Sequence, residues 1–229
     1  MSDEASGNRD RDDDRQGDGR RRLTTEQWAQ ALGISTAPTP PTVEGYDEPC
    51  PLTARQVATR AIILQGVVAV ASGVDPEPVI VWLRDSGIWS GVSPRERAFL
   101  LDPSTAGRKE RIGFQWCQEA EWALLWVIGK VEALGLPIRQ CDTRRLVDEI
   151  IPALGTDIEP FLANAVLRAP GVLLAEDDRV YDLWCRWHAA RRIGGPLPED
   201  LDEAVLYQRV YALEWLHGIE PWDEVTADA

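Results

Sequence analysis

The chain has no Cys-x-x-Cys pair among its four cysteines, and it has only two histidines, His188 and His217. Neither histidine stands in an H-E-x-x-H or similar spacing, so the usual zinc chelating pairs are missing and no metal or cofactor is expected. Cys50, Cys117, Cys141 and Cys185 lie far apart. They are expected to be reduced thiols, since a chain of this size needs no disulfide framework. No G-x-S-x-G, P-loop or dinucleotide fingerprint occurs. Lysine is nearly absent: Lys109 and Lys130 are the only two among 24 basic side chains. That leaves cation chemistry to arginine, which pairs carboxylates bidentately as lysine cannot. The apolar run from Ala61 to Val74 is interrupted by Gln65 and Gly66 and is shorter than a membrane span. The start, Met-Ser-Asp-Glu, has no apolar stretch of a secretory signal. A soluble, cytoplasmic protein without membrane contact is therefore expected. No sustained two-residue alternation, hairpin turn or repeat period is visible, which argues against sheets and solenoids.

What the chain does have is negative charge and tryptophan. The net charge is −14, and there are ten Trp in 229 residues. The first 22 residues hold seven acidic and six basic side chains, so nearly all of the charge belongs to the remainder. A surface this acidic repels phosphate backbones, and no basic stripe with interleaved aromatics appears, so nucleic acid is not an expected partner. Buried Trp needs a partner for its N–H and often lines pockets or interfaces.

Residues 1–22 contain almost no apolar side chains and are expected to be disordered. A short helix over Thr24–Leu32 and a Pro-rich linker over Thr36–Thr42 are expected to complete a tail of residues 1–49. The folded domain is expected over residues 50–229. Its start signals are regular. Thr53 with Gln56, Ser93 with Glu96 and Thr156 with Glu159 have capping-box spacing. Asp75, Asp142 and Asp200 are further N-cap candidates. Gly73, Gly87, Gly135, Gly155, Gly194 and Gly218 stand where helices should stop. The pattern predicts helices over about 53–72, 76–86, 94–101, 107–134, 143–153, 157–168, 172–193 and 202–217. The expected fold is all-α: a single multi-helix domain around a buried, Trp-rich central helix, with a disordered N-terminal tail.

The central helix contains Arg111-Ile-Gly-Phe-Gln-Trp-Cys-Gln-Glu-Ala-Glu-Trp-Ala-Leu-Leu-Trp-Val-Ile-Gly129. Helical spacing divides it into three stripes. Ile112, Trp116, Ala120, Ala123, Val127 and Val131 form a core stripe. Phe114, Cys117, Leu124, Leu125 and Ile128 form a second, broken by Glu121. The third is Arg111, Gln115, Gln118, Glu119, Trp122 and Trp126. A helix apolar on two faces is enclosed. The third stripe then either faces solvent, with local pairs such as Arg111 with Gln115, or walls a pocket.

Glu119 and Glu121 project roughly 200° apart and cannot share one acid/base site. Each could pair with an arginine elsewhere, and Arg168 and Arg209 are the candidates. Tyr207, Tyr211 and Glu214 form a further stripe beside the core residues Leu206, Val210 and Leu213. The candidate ligand-binding set is Glu119, Trp122, Trp126, Arg168, Arg209 and Tyr211. Internal cement is the competing reading, with a Glu–Arg pair and ordinary core indoles.

Three segments carry a resemblance. They are Glu119-Ala-Glu-Trp-Ala-Leu-Leu-Trp-Val-Ile-Gly129, Phe161-Leu-Ala-Asn-Ala-Val-Leu-Arg168, and Tyr207-Gln-Arg-Val-Tyr-Ala-Leu-Glu-Trp-Leu216 followed by Trp222-Asp-Glu-Val-Thr-Ala-Asp228. In this order they resemble the bacterial family catalogued as domain of unknown function 4272. The resemblance implies a helical fold and brings no catalytic residues to carry over.

Two functions lead on this reading, ahead of a purely structural subunit. One is a binding or interaction protein of immunity or accessory type, whose acidic and aromatic surface masks a basic protein partner. The other is an enzyme or small-ligand binder, with a Glu/Trp/Arg-lined pocket suited to a small polar or cationic group.

Overall fold

Thr53 and Gln56 exchange the two bonds of a capping box: Thr53 Oγ1 accepts from the Gln56 N–H at 3.3 Å, and Gln56 Oε1 accepts from the Thr53 N–H at 2.8 Å. They start α1 (Ala54–Ala71). Asp75 caps α2 (Pro76–Asp85), and the Ser93–Glu96 box, with Pro94 at the first helical position, starts α3 (Pro94–Leu101). The central helix is α4 (Arg108–Val127). Asp142 caps a short α5 (Thr143–Arg145), which runs on into a π turn over Leu146–Ile150. Next come α6 (Glu159–Ala163), α7 (Pro170–Arg192) and α8 (Glu203–Trp215), the last capped by Asp202. Single 3₁₀ turns occupy Trp89–Gly91 and Trp222–Glu224. This computed structural model describes residues 50–194 and 201–227, and no strand occurs among them. The expected tail over 1–49, with its short helix and linker, lies outside the described residues. No helix among them is long and apolar enough to cross a membrane.

The predicted helices are present, and three are shorter than the pattern suggested. The central helix stops at Val127 rather than near residue 134, because Gly129 adopts φ +72°. The Gly129 N–H donates to the Trp126 carbonyl at 3.0 Å and the Lys130 N–H to the Leu125 carbonyl at 2.8 Å. These are the paired bonds of a Schellman stop, which a left-handed glycine allows. The helix expected over 143–153 is only one turn before the π bulge. The helix expected over 157–168 is cut to five residues. Its Thr156–Glu159 box does not form: the Glu159 N–H goes to Asp157 Oδ1 at 2.9 Å, and the Glu159 carboxylate leaves to meet Arg55 Nη1 at 2.7 Å.

The core is one cluster. α4 packs on α1 along one side and on α8 along another. α1 is buried nearly all round, from Val57 to Ala71. Gly66 lets α2 approach, since a Cβ there would lie 2.9 Å from Val79 Cγ1. The core stripe of α4 is buried at Ala120, Ala123 and Val127, and Val131, past the helix end, is buried with them. Ile112, expected in that stripe, is 40 % exposed, while the neighbouring Phe114 is buried against Phe99. An ion pair between Arg60 of α1 and Glu96 of α3 is fully enclosed, and Trp222 covers it with its ring centroid 4.6 Å from the guanidinium carbon.

A groove beside the central helix

The stripe of Arg111, Gln115, Gln118, Glu119, Trp122 and Trp126 is spent on the chain itself. Arg111 and Gln115 do not pair with each other. Arg111 Nη2 donates to the Pro103 carbonyl at 2.8 Å, and Gln115 Nε2 to the Ala71 carbonyl at 3.0 Å. The loop after α4 crosses the next two positions. Gln118 bonds Thr143 Oγ1 at 2.5 Å, and Glu119 accepts a short bond from the Cys141 N–H.

Glu119 and Arg209 do meet. Arg209 Nη2 stands 3.9 Å from Glu119 Oε2, with both side chains almost completely enclosed. Burial pushes the Glu119 carboxyl up against the pull of the Cys141 N–H and Arg209, and it pushes the Arg209 guanidinium down. Arg209 Nη1 also donates to the Gly135 carbonyl at 2.8 Å, which ties α8 to the loop after α4. Arg168 plays a different part. Its Nε donates to the Trp126 carbonyl at 2.7 Å, and its Nη2 to the Val131 and Glu132 carbonyls at 2.6 and 3.1 Å. Its guanidinium carbon lies 4.9 Å from the centroid of the Trp126 ring. It therefore satisfies carbonyls at the C-terminal end of α4, where a cation is also favoured by the helix dipole. Trp122 and Trp126 are buried. The expected set thus separates into a Glu119–Arg209 pair, a Trp126–Arg168 pair, Trp122 in the core, and Tyr211.

Tyr211 belongs to a groove one face further round α4. The concavity holds about 480 Å³. Its floor is α4, at Gly113, Phe114 and Cys117, and its wall is Tyr207 and Tyr211 of α8 with Trp222. Arg95, Lys109, Glu110 and Asp223 also line it. The rings are ordered against one another. Tyr207 and Tyr211 lie 6.0 Å apart, and Tyr211 meets Trp222 edge-on at 5.0 Å. The Tyr211 hydroxyl donates a short bond to the Trp222 carbonyl. Arg95 is held at the groove by Glu110, 3.2 Å away, while its backbone N–H donates to Asp223 Oδ2 at 2.9 Å. Burial, with Glu96 adding to it, pushes the Cys117 thiol up to about 12. Burial also raises both tyrosines.

Gly113 opens this groove. A Cβ at that position would meet nothing within 4 Å. The sequence signal was a glycine inside a helical pattern, where it weakens the helix unless packing or function uses the space. Glu121 stands two turns further along the same line of α4 as Gly113 and Cys117. It is completely buried, and among the described residues neither carboxylate oxygen has a hydrogen-bond partner. Burial raises its carboxyl well above the ordinary range.

A separate cluster joins α7 to the end of α8. His217 Nε2 is 3.0 Å from Asp177 Oδ2 and 3.9 Å from Glu214 Oε2. Glu214 and His217 are one helical turn apart, and Asp177 comes from another helix, so the histidine spacing gives no sign of this cluster.

The family model described as Domain of unknown function (DUF4272) matches residues 21–225. No curated protein and no solved structure matches the chain. With the match running through every described helix, the chain belongs to the DUF4272 family.

Proposed function

We propose that this protein binds a small molecule in the groove between α4 and α8. The observation that carries this reading is the concavity of about 480 Å³ floored at Gly113 and walled by Tyr207, Tyr211 and Trp222. That volume falls within the roughly 300–1,000 Å³ of ordinary ligand sites. The aromatic wall suits a flat, largely apolar body. Charges of both signs at Arg95, Lys109, Glu110 and Asp223 suit a polar or zwitterionic end. Binding fits better than nucleophilic catalysis, because Cys117 stays a thiol and both tyrosines keep their protons at neutral pH.

A thermal-shift screen of polar aromatic metabolites tests this, run on the wild type and on Gly113→Leu. The leucine fills open space in the groove. Compounds that stabilise the wild type and leave Gly113→Leu unmoved support the site. Equal stabilisation of both places the ligand elsewhere. A second reading, a basic protein partner held by the acidic surface, draws on the net charge of −14. It would show as binding that weakens steeply with salt and ignores Gly113→Leu.

A further inference from the structure

We propose that Asp177, Glu214 and His217 bind a divalent first-row transition-metal ion, with Zn²⁺ as the representative. One ligand atom from each of the three lies within 4.8 Å of the others. A zinc ion with bonds of about 2.0–2.2 Å places neighbouring donors roughly 3–3.5 Å apart. The His217–Asp177 contact of 3.0 Å, now a direct hydrogen bond that the ion would replace, has this spacing, while the His217–Glu214 separation of 3.9 Å and the Asp177–Glu214 edge, within 4.8 Å, must close. Glu214 can make that movement, since its side chain is 30 % exposed.

The donor set selects the class of ion. One imidazole nitrogen with two carboxylate oxygens suits zinc, iron or manganese, whereas magnesium and calcium take oxygen ligands throughout. Three protein ligands also leave a coordination position free. A cavity of about 170 Å³ adjoins the cluster, bordered by Glu214, His217, Glu220, Val225 and Thr226. Water can complete the coordination from that side, where Glu220 also lines the cavity. The site is therefore of the open, exchangeable kind rather than a closed structural one. Binding would join α7 to the end of α8. The competing account is a plain ion-pair triad with no affinity for metal.

Isothermal titration of the full chain with ZnCl₂ near neutral pH tests the proposal. One site per chain is expected, and Asp177→Asn and His217→Gln should each weaken it at least about tenfold. Absence of binding to the wild type, or equal binding by wild type and both variants, overturns the proposal. Co²⁺ gives a second reading: d–d absorption without thiolate charge transfer is expected, and a thiolate band would put the ion on a cysteine instead. Where a variant does not fold, the wild type still decides. The chain has only two histidines, so imidazole nitrogen resonances can be followed directly. Zinc should move the His217 signals. Movement of His188 alone, or of neither, overturns the assignment.

Discussion

Replacing Glu121 with glutamine should change how stability depends on pH. Glu121 is wholly enclosed, neither oxygen has a hydrogen-bond partner among the described residues, and burial raises its carboxyl well above the ordinary range. The folded protein therefore holds this proton to a higher pH than the unfolded chain does. Below the unfolded value, about 4.3, both states are protonated and the group's contribution is fully present. As the pH rises from there toward the folded value, the unfolded state releases its proton and the native state does not. Stability then falls with a limiting slope of about 1.4 kcal/mol per pH unit. The Glu121→Gln variant would keep the shape and lose the titration. Urea unfolding of both proteins across a pH series isolates this one group, because every other carboxylate cancels in the difference. The variant should match the wild type in acid and become progressively more stable as the pH rises. A difference that stays flat above pH 5 would show that Glu121 is ionised in the fold, with a partner or water supporting it.

Gly113→Ala should raise stability by about 0.5–1 kcal/mol, since the added methyl meets nothing within 4 Å and a helix-interior glycine is entropically unfavourable; denaturant titration checks it. Arg60→Met should destabilise by about 3–5 kcal/mol in the same assay, because it strands the enclosed Glu96 carboxylate without its cation. Arg168→Ala should destabilise by about 2–3 kcal/mol by leaving the carbonyls of Val131 and Glu132 without its guanidinium and the Trp126 carbonyl with the Gly129 N–H alone, and hydrogen exchange should quicken at the end of α4 before elsewhere. Deleting residues 1–22 should shift Tm by less than about 4 °C, because they offer almost no apolar surface to bury.

The helical architecture was legible because its signals are local. The boxes at Thr53 and Ser93 and the proline at position 94 act within four residues, and each formed as its spacing required. The failures are tertiary. Glu159 left its predicted box because Arg55, far away in the chain, offered a bidentate partner. The early end of the central helix is the local exception: Gly129 accepts the left-handed conformation before Gly135 is reached. Glu119, Trp122 and Trp126 rest on one helix's periodicity, and periodicity cannot say what covers a face. The loop carrying Cys141 covers Glu119, and Arg168 takes the end of the helix. The groove was half visible in the Tyr207–Tyr211 stripe. Its floor at Gly113 and its far edge at Trp222 come together only through the packing of α4, α8 and the last described turn. Asp177 joins His217 for the same reason.

A fragment soak of crystals of this protein, carried to a refined map, tests the groove most directly. The account requires aromatic fragments to lie over Gly113, bounded by Phe114 and Cys117 beneath and Tyr207, Tyr211 and Trp222 beside. It is contradicted if fragments settle elsewhere while this groove stays empty, or if Tyr207 and Tyr211 close onto Phe114 and leave no space to fill.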